Sequence, residues 1–229
     1  MILSIVPRPS PPPRSEEELM ARANALAGRT LGEVAQEYSL IPLGGWRHNK
    51  GWIGMLIEHV LGASAASRPE PDFPLLSVEL KTIPVGRTGR PLESTFVCAV
   101  PLAGDIAADW RQSNIFRKLA RVLWMPFESE RTIPFEARRI GSPLLWSPSP
   151  PEEALLERDW GMLMDRVICG QVEEISASEG EYLQIRPKAT KATARRSVIG
   201  IDGEREMLLP RGFYLRPSFT AAILARYYS

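Results

Sequence analysis

The stretch PDFPLLSVELKTIPV, residues 71–85, decides how this chain is read. Within it Leu76, Val78 and Leu80 alternate with Ser77, Glu79 and Lys81. Such period-two alternation predicts a strand over 76–83 with one face in a core. Alternate side chains of a strand project to the same side, so Glu79 and Lys81 share the polar face. Asp72 precedes Glu79 by seven residues and would be delivered from the loop before the strand. A carboxylate and an ammonium held side by side, with a second carboxylate near, suit a hard cation next to an activated water, which is what phosphodiester cleavage requires. The alternative is a solvated surface ion pair, worth about 0–1 kcal/mol.

Outward from this strand, the flanking segments carry clear start and stop signals. Ser15 to Glu18 is a capping-box pattern opening a helix that runs to Ala27, where Gly28 stops it, and Thr30 to Glu33 repeats the device. In KGWIGMLIEHVLGAS, residues 50–64, the residues Ile53, Leu56, Ile57, Val60 and Leu61 recur at helical spacing until Gly62. Glu58 lies on the flank of that stripe, where it would either reach over the adjoining sheet or serve as an ordinary rim acid. Downstream, strands are predicted over 94–100, 121–127 and 139–146. A short helix capped by Ser113 carries Arg117 and Lys118, and a long helix runs from Glu152 to Gly170 with Pro151 at its start. The C-terminal part reads as the strand EYLQIRP, a basic loop, the strands EMLLP and GFYLRP, and a last helix, SFTAAILARYY. Strands and helices mix without a regular βαβ rhythm, which predicts a mixed α/β (α+β) sheet rather than a doubly wound one.

Composition narrows the function classes. The chain has 229 residues, 44% hydrophobic and 24% charged, enough for one domain or two small lobes. MILSIVPRPSPPPR at the N-terminus has too few apolar residues before its proline run for a signal peptide, and residues 1–14 read as a disordered leader. No stretch approaches the apolar length that spans a bilayer, so a cytoplasmic protein with no membrane partner is expected. Cys98 and Cys169 form no CxxC pair, lie in apolar surroundings and read as buried free thiols in a reducing cytosol. His48 and His59 have no metal-ligand spacing, and no GxxxxGK[ST] loop is present, which excludes a zinc site and autonomous ATP hydrolysis. The net charge of +1 hides a separation of charge. Arg186, Lys188, Lys191, Arg195 and Arg196 follow one another with no acid between them, whereas residues 151–182 hold nine acids against Arg158 and Arg166. This pattern presents either a basic face to DNA or a mobile basic loop with no partner.

Several long blocks then appear in one order: residues 50–85, GRPLESTFVCAVPL, KLARVLWMPFESER, RRIGSPLLWSP, GEYLQIRPKA and LPRGFYLRPSFTAAILAR. From Ser15 to the C-terminus the chain resembles the MutH family, strand-nicking endonucleases of methyl-directed mismatch repair. The resemblance implies a restriction-endonuclease-like fold, a mixed sheet flanked by helices, with two lobes around a DNA cleft. The catalytic lobe would lie mainly in 15–130, and the DNA-reading, partner-contacting lobe mainly in 131–229. It also implies a catalytic set of Glu58, Asp72, Glu79, Lys81 and Lys118, with Asp72, Glu79 and Glu58 on Mg²⁺. DNA contacts fall on Lys50, Phe96, Arg186, Pro187, Lys188 and Tyr214, and for Phe96 a core role is the alternative because its strand is apolar.

The implied substrate is double-stranded DNA, nicked on the unmethylated strand at GATC by a monomer. Reading an adenine N6 methyl needs the major groove, where that group is displayed. Lys191, Arg195 and Arg196 would contact phosphates or remain solvated. The implied partners are MutL, and MutS through it. The last helix, with Phe219, Ile223, Leu224, Tyr227 and Tyr228, would either meet MutL or pack on its own core. Two other functions stay open: a stand-alone restriction endonuclease of the same fold, and a non-catalytic DNA-binding adaptor.

Overall fold

Helix starts and stops are set by local chemistry. In α1 (Glu16–Asn24) the Ser15 hydroxyl accepts from the Glu18 N–H, and in α2 (Leu31–Glu37) Thr30 and Glu33 form a complete capping box. Helix α3 (Trp52–Leu61) ends at Gly62, which is left-handed at φ 83°. The computed structural model describes residues 9–42, 51–65, 68–101, 107–188, 196–199 and 205–228. Its contacts define two units, each made of two chain segments: residues 1–92 with 121–146, and residues 93–120 with 147–229.

The first unit joins α1–α3 to a three-stranded sheet of β1 (Glu79–Val85), β3 (Val122–Glu128) and β4 (Leu144–Trp146), in the order β1-β3-β4. Strands β1 and β3 are parallel, with Glu79 opposite Val122 and Lys81 opposite Trp124; β3 and β4 are antiparallel. Leu80, Leu123, Met125 and Phe127 join Leu56, Ile57 and Leu61 of α3 in the core. The opposite face of the strands carries Glu79, Lys81, Ile83, Val122 and Trp124. The strand expected over 76–83 starts late for a local reason. Pro74–Leu76 forms a 3-10 turn, and Ser77 takes a left-handed φ of 54°, so Leu76 never enters the sheet. The strand expected over 139–146 is likewise shorter: Ile140 makes only an isolated bridge to Phe127.

Residues 10–14, read from sequence as part of a disordered leader, lie along the end of α3. The Ser10 N–H donates to the His59 carbonyl at 3.1 Å, and Arg22 Nη1 donates to the carbonyls of Pro11 at 2.6 Å and Leu61 at 3.1 Å. Pro11 presses so closely on Gly62 that no side chain fits there.

The second unit centres on an antiparallel sheet of β2 (Thr95–Ala99), β8 (Arg211–Leu215) and β5 (Leu183–Pro187), in the order β2-β8-β5. Helix α4 (Asn114–Leu119) packs against β2, and α5 (Pro150–Ile168) against β5. A separate antiparallel pair, β6 (Arg196–Ile199) with β7 (Arg205–Leu208), puts Arg196 on a strand where the sequence suggested only loop. Helix α6 (Pro217–Tyr228) buries Phe219, Thr220, Ile223 and Leu224. Of the two thiols expected to be buried, Cys98 on β2 is, but Cys169 is exposed because it caps the end of α5. The architecture is the expected mixed α/β one, of restriction-endonuclease-like type, and no helix among the described residues is long and apolar enough to cross a membrane.

Candidate active site and nucleic-acid interface

On β1, the i, i+2 relation puts Glu79 and Lys81 on one side, and their side chains meet: Lys81 Nζ lies 2.5 Å from Glu79 Oε1. Neither group is a surface ornament, since the Glu79 side chain is 2% exposed and that of Lys81 13%. A carboxylate so far from water is tolerable only with a paired charge and hydrogen bonds. Asp72 joins them from the preceding loop, where its Oδ2 accepts the Leu80 N–H at 2.8 Å, one peptide unit from Glu79. Its carbonyl accepts from Ser64 at 3.0 Å and Ala65 at 3.4 Å, which ties that loop to the end of α3.

Glu58, half-buried on α3, turns back over Gly54; a side chain at that glycine would lie 3.8 Å from Glu58 Oε1 and 4.0 Å from Thr82 Oγ1 of β1. The Glu58 carboxylate therefore flanks the helix face that packs on β1. Among the described residues, no group of three or more Asp, Glu, His or Cys side chains stands close enough to hold a metal by itself. The donor set nonetheless fits Mg²⁺. That ion takes hard oxygens, binds through one or two carboxylates, and fills its remaining positions with water and phosphate. Lys118 sits half-buried on α4 in the second unit, apart in sequence from the other four.

Of the expected DNA-reading residues, Phe96, Arg186, Lys188 and Tyr214 gather on one face of the β2-β8-β5 sheet, whereas Pro187, paired with Arg211, alternates to the other side of β5. Register puts Phe96 opposite Tyr214, Tyr214 opposite Gln184, and Arg186 opposite Gly212. The other face holds the buried Leu183, Ile185, Phe213 and Leu215. Phe96 is thus not a core residue. Its ring meets Tyr214 edge-on at 5.3 Å and lies over Gly212, where an added Cβ would come within 2.6 Å of Phe96 Cε2. Lys188 Nζ stands 4.4 Å over the Phe96 ring, and the Arg186 guanidinium 6.0 Å over that of Tyr214. Arg186, Pro187 and Lys188 are exposed. Burial pushes the Tyr214 phenol above its ordinary pKa, opposed by the charge of Arg186 and assisted by that of Glu93. Lys50, Lys191 and Arg195 lie outside the described residues.

Three residues that sequence reading passed over belong to this surface or its support. Gln184, 4% exposed, donates from Nε2 to Ser94 Oγ at 2.8 Å, and Arg186 Nη1 donates to the same oxygen at 3.1 Å. Asp159 read as one more acid of a charged helix. Instead it is buried, and its Oδ2 accepts the N–H groups of Glu181, Tyr182 and Leu183 at 2.8, 2.7 and 3.0 Å, fixing the entry to β5. The only sequence cue was its place among the helix's apolar neighbours, Leu156 and Leu163. Of the five aromatic and aliphatic residues singled out on α6, Phe219, Ile223 and Leu224 are core, and Tyr227 and Tyr228 are exposed.

A mixed sheet whose edge strand carries a Glu-x-Lys pair, with an acid from the preceding loop, and a second unit that presents a basic and aromatic sheet face together define an enzyme of the restriction-endonuclease-like class. The family model described as DNA mismatch repair enzyme MutH matches residues 61–159. The DNA mismatch repair protein MutH of Escherichia coli strain SMS-3-5 is 55% identical over 223 residues, 97% of this chain and 97% of its own. That of Escherichia coli strain ATCC 8739 is similar to the same extent, 55% identical over 223 residues and 97% of each chain. The chain belongs to the MutH family.

Proposed function

We propose that this chain is a Mg²⁺-dependent endonuclease that nicks the unmethylated strand at hemimethylated GATC sites in mismatch repair, on activation by MutL. The observation that carries the proposal is the buried Glu79–Lys81 pair, with Asp72 bonded one peptide unit away. In this reading Asp72 and Glu79 hold the metal and Glu58 supports it from α3. When bound, Mg²⁺ would neutralise phosphate charge and make a coordinated water more acidic. Lys81 gives one N–H to Glu79, and an ammonium has three donors, so others remain for a phosphate oxygen on which charge accumulates. Burial of the pair excludes bulk water and strengthens that attraction. Lys118 would contact DNA phosphate from α4.

Sequence reading falls to the face built on β2, β8 and β5. Arg186 and Lys188 offer donors for guanine O6 and N7, and Tyr214 with Phe96 provides a rigid aromatic platform for the adenine edge. Pro187 would enter the groove with Arg186 and Lys188, Lys50 would lie near the DNA, and Lys191, Arg195 and Arg196 would contact phosphates, setting affinity without sequence information. The exposed Tyr227 and Tyr228 are the part of α6 suited to a protein partner, because the rest of its apolar stripe is occupied. The protein would work as a cytoplasmic monomer. The test is cleavage of unmethylated, hemimethylated and fully methylated GATC plasmids with Mg²⁺, with and without MutL and ATP. Nicking of the unmethylated strand, enhanced by MutL, is expected; no cleavage under any condition would overturn the proposal.

A further inference from the structure

Ser94, at the entry to β2, receives two hydrogen bonds on one oxygen, from Gln184 Nε2 at 2.8 Å and from Arg186 Nη1 at 3.1 Å. A hydroxyl has two acceptor lone pairs, so both are committed by these donors. Gln184 is 4% exposed and sits beside Tyr214 on the sheet, so the strands themselves hold its amide in place. Arg186 is the contrasting partner. It is exposed, yet its guanidinium is anchored at one Nη by Ser94 and lies 6.0 Å over the Tyr214 ring. Left alone, a long exposed side chain samples many rotamers, and restricting it when a ligand binds weakens affinity. Here the restriction exists before any ligand arrives. Ser94 engages a single Nη, so the planar fork keeps further donors for a base edge that offers two acceptors.

We propose that Ser94, backed by Gln184, is a positioning residue for sequence specificity, holding Arg186 ready to bond a base edge with paired acceptors in the major groove. This rests on the reading that Arg186 contacts the DNA bases. The geometry assigns Ser94 a role that the chemistry of cutting does not require, so its loss acts on discrimination between sites and not on affinity for DNA in general.

The experiment is equilibrium binding of the full chain to two duplexes of equal length, one with an unmethylated GATC and one with those bases scrambled, over a range of salt. In Ser94→Ala the preference for GATC falls about tenfold, the size of one well-placed base contact. Binding to the scrambled duplex and the salt slope stay unchanged, because phosphate contacts are untouched. Ser94→Thr, which keeps the hydroxyl, restores the preference. An unchanged preference in Ser94→Ala, an equal loss on both duplexes, or failure of threonine to rescue would each overturn the proposal. Arg186→Ala is the parallel control. If it leaves the preference for GATC intact, the base-reading role of Arg186 itself falls, whatever Ser94→Ala does.

Discussion

Asp159→Ala is expected to remove about 3–4 kcal/mol of stability, although Asp159 touches no proposed catalytic group. In the folded chain Oδ2 holds three successive N–H groups, and Oδ1 faces Arg158 Nη2 at 3.4 Å. The three donors are not equivalent once the carboxylate is gone. Glu181 is exposed and Tyr182 half-buried, so water replaces much of what they lose, whereas Leu183 is fully buried and its N–H is left without a partner. An orphaned buried donor costs about 1–3 kcal/mol, and each lost bond to a charged acceptor about 1.5–3 kcal/mol before water compensates. Asp159→Asn keeps an oxygen acceptor but loses the charge and sets an amide against Arg158, so about half the loss is expected. Urea unfolding followed by far-UV circular dichroism and tryptophan fluorescence measures both. The midpoint should fall with the slope unchanged, and for a chain of this size thermal unfolding should drop by about 6–16 °C in the alanine variant. A loss below about 1 kcal/mol in Asp159→Ala would refute the reasoning, because it is what an ordinary surface acid gives.

Glu79→Ala and Lys81→Ala should each abolish Mg²⁺-dependent nicking while DNA binding survives, measured on one GATC plasmid and one short duplex; full cleavage by either variant sinks the catalytic assignment. Gly212→Ala forces the Phe96 ring to retreat from 2.6 Å to an ordinary contact, breaking its edge contact with Tyr214 and the Lys188 interaction above it. About 1–2 kcal/mol should be lost, read as a lower Tm and weaker GATC binding. Glu16→Gln tests acid stability. Bonding to Arg121 at 2.6 and 2.9 Å holds the Glu16 carboxyl below its ordinary pKa. The stability it contributes is therefore present above the unfolded-state pKa and lost as pH falls through the lower folded one. The wild type should lose more Tm than the glutamine variant as pH falls from 5 to 3, in a small, salt-sensitive way because the pair is partly exposed. Parallel curves would rule the contribution out.

Much of the fold was legible because the signals are local. Ser15, Thr30 and Ser113 cap helices through partners three residues away, and Gly62 ends α3 through its own backbone. The Glu79–Lys81 pair at the core of the proposed cutting site was legible for the same reason. Glu79 and Lys81 are two apart on a strand, and strand geometry alone brings them together. Recognition was harder to read. That Phe96 lies over Gly212 and outside the core follows from the pairing of β2 with β8 and from the bulge between Phe96 and Cys98, and no spacing along the chain reports register.

By itself, then, the sequence determined the caps that start α1, α2 and α4 and the glycine that stops α3, the strand that carries Glu79 and Lys81, and, through long ordered blocks, the family to which the chain belongs. Tertiary structure decided what the remaining polar and aromatic residues are for. Asp159 becomes an anchor only when Glu181–Leu183, 22–24 residues further on, are folded onto it. Ser94 becomes a hub only when β5 brings Gln184 and Arg186 across 90 and 92 residues of chain. Phe219, Ile223 and Leu224 prove to be core, leaving Tyr227 and Tyr228 at the surface. The physical reason is common to all of them. A polar or apolar side chain has the same intrinsic chemistry in any chain, and whether it anchors, reads or packs depends on which distant backbone the fold sets against it.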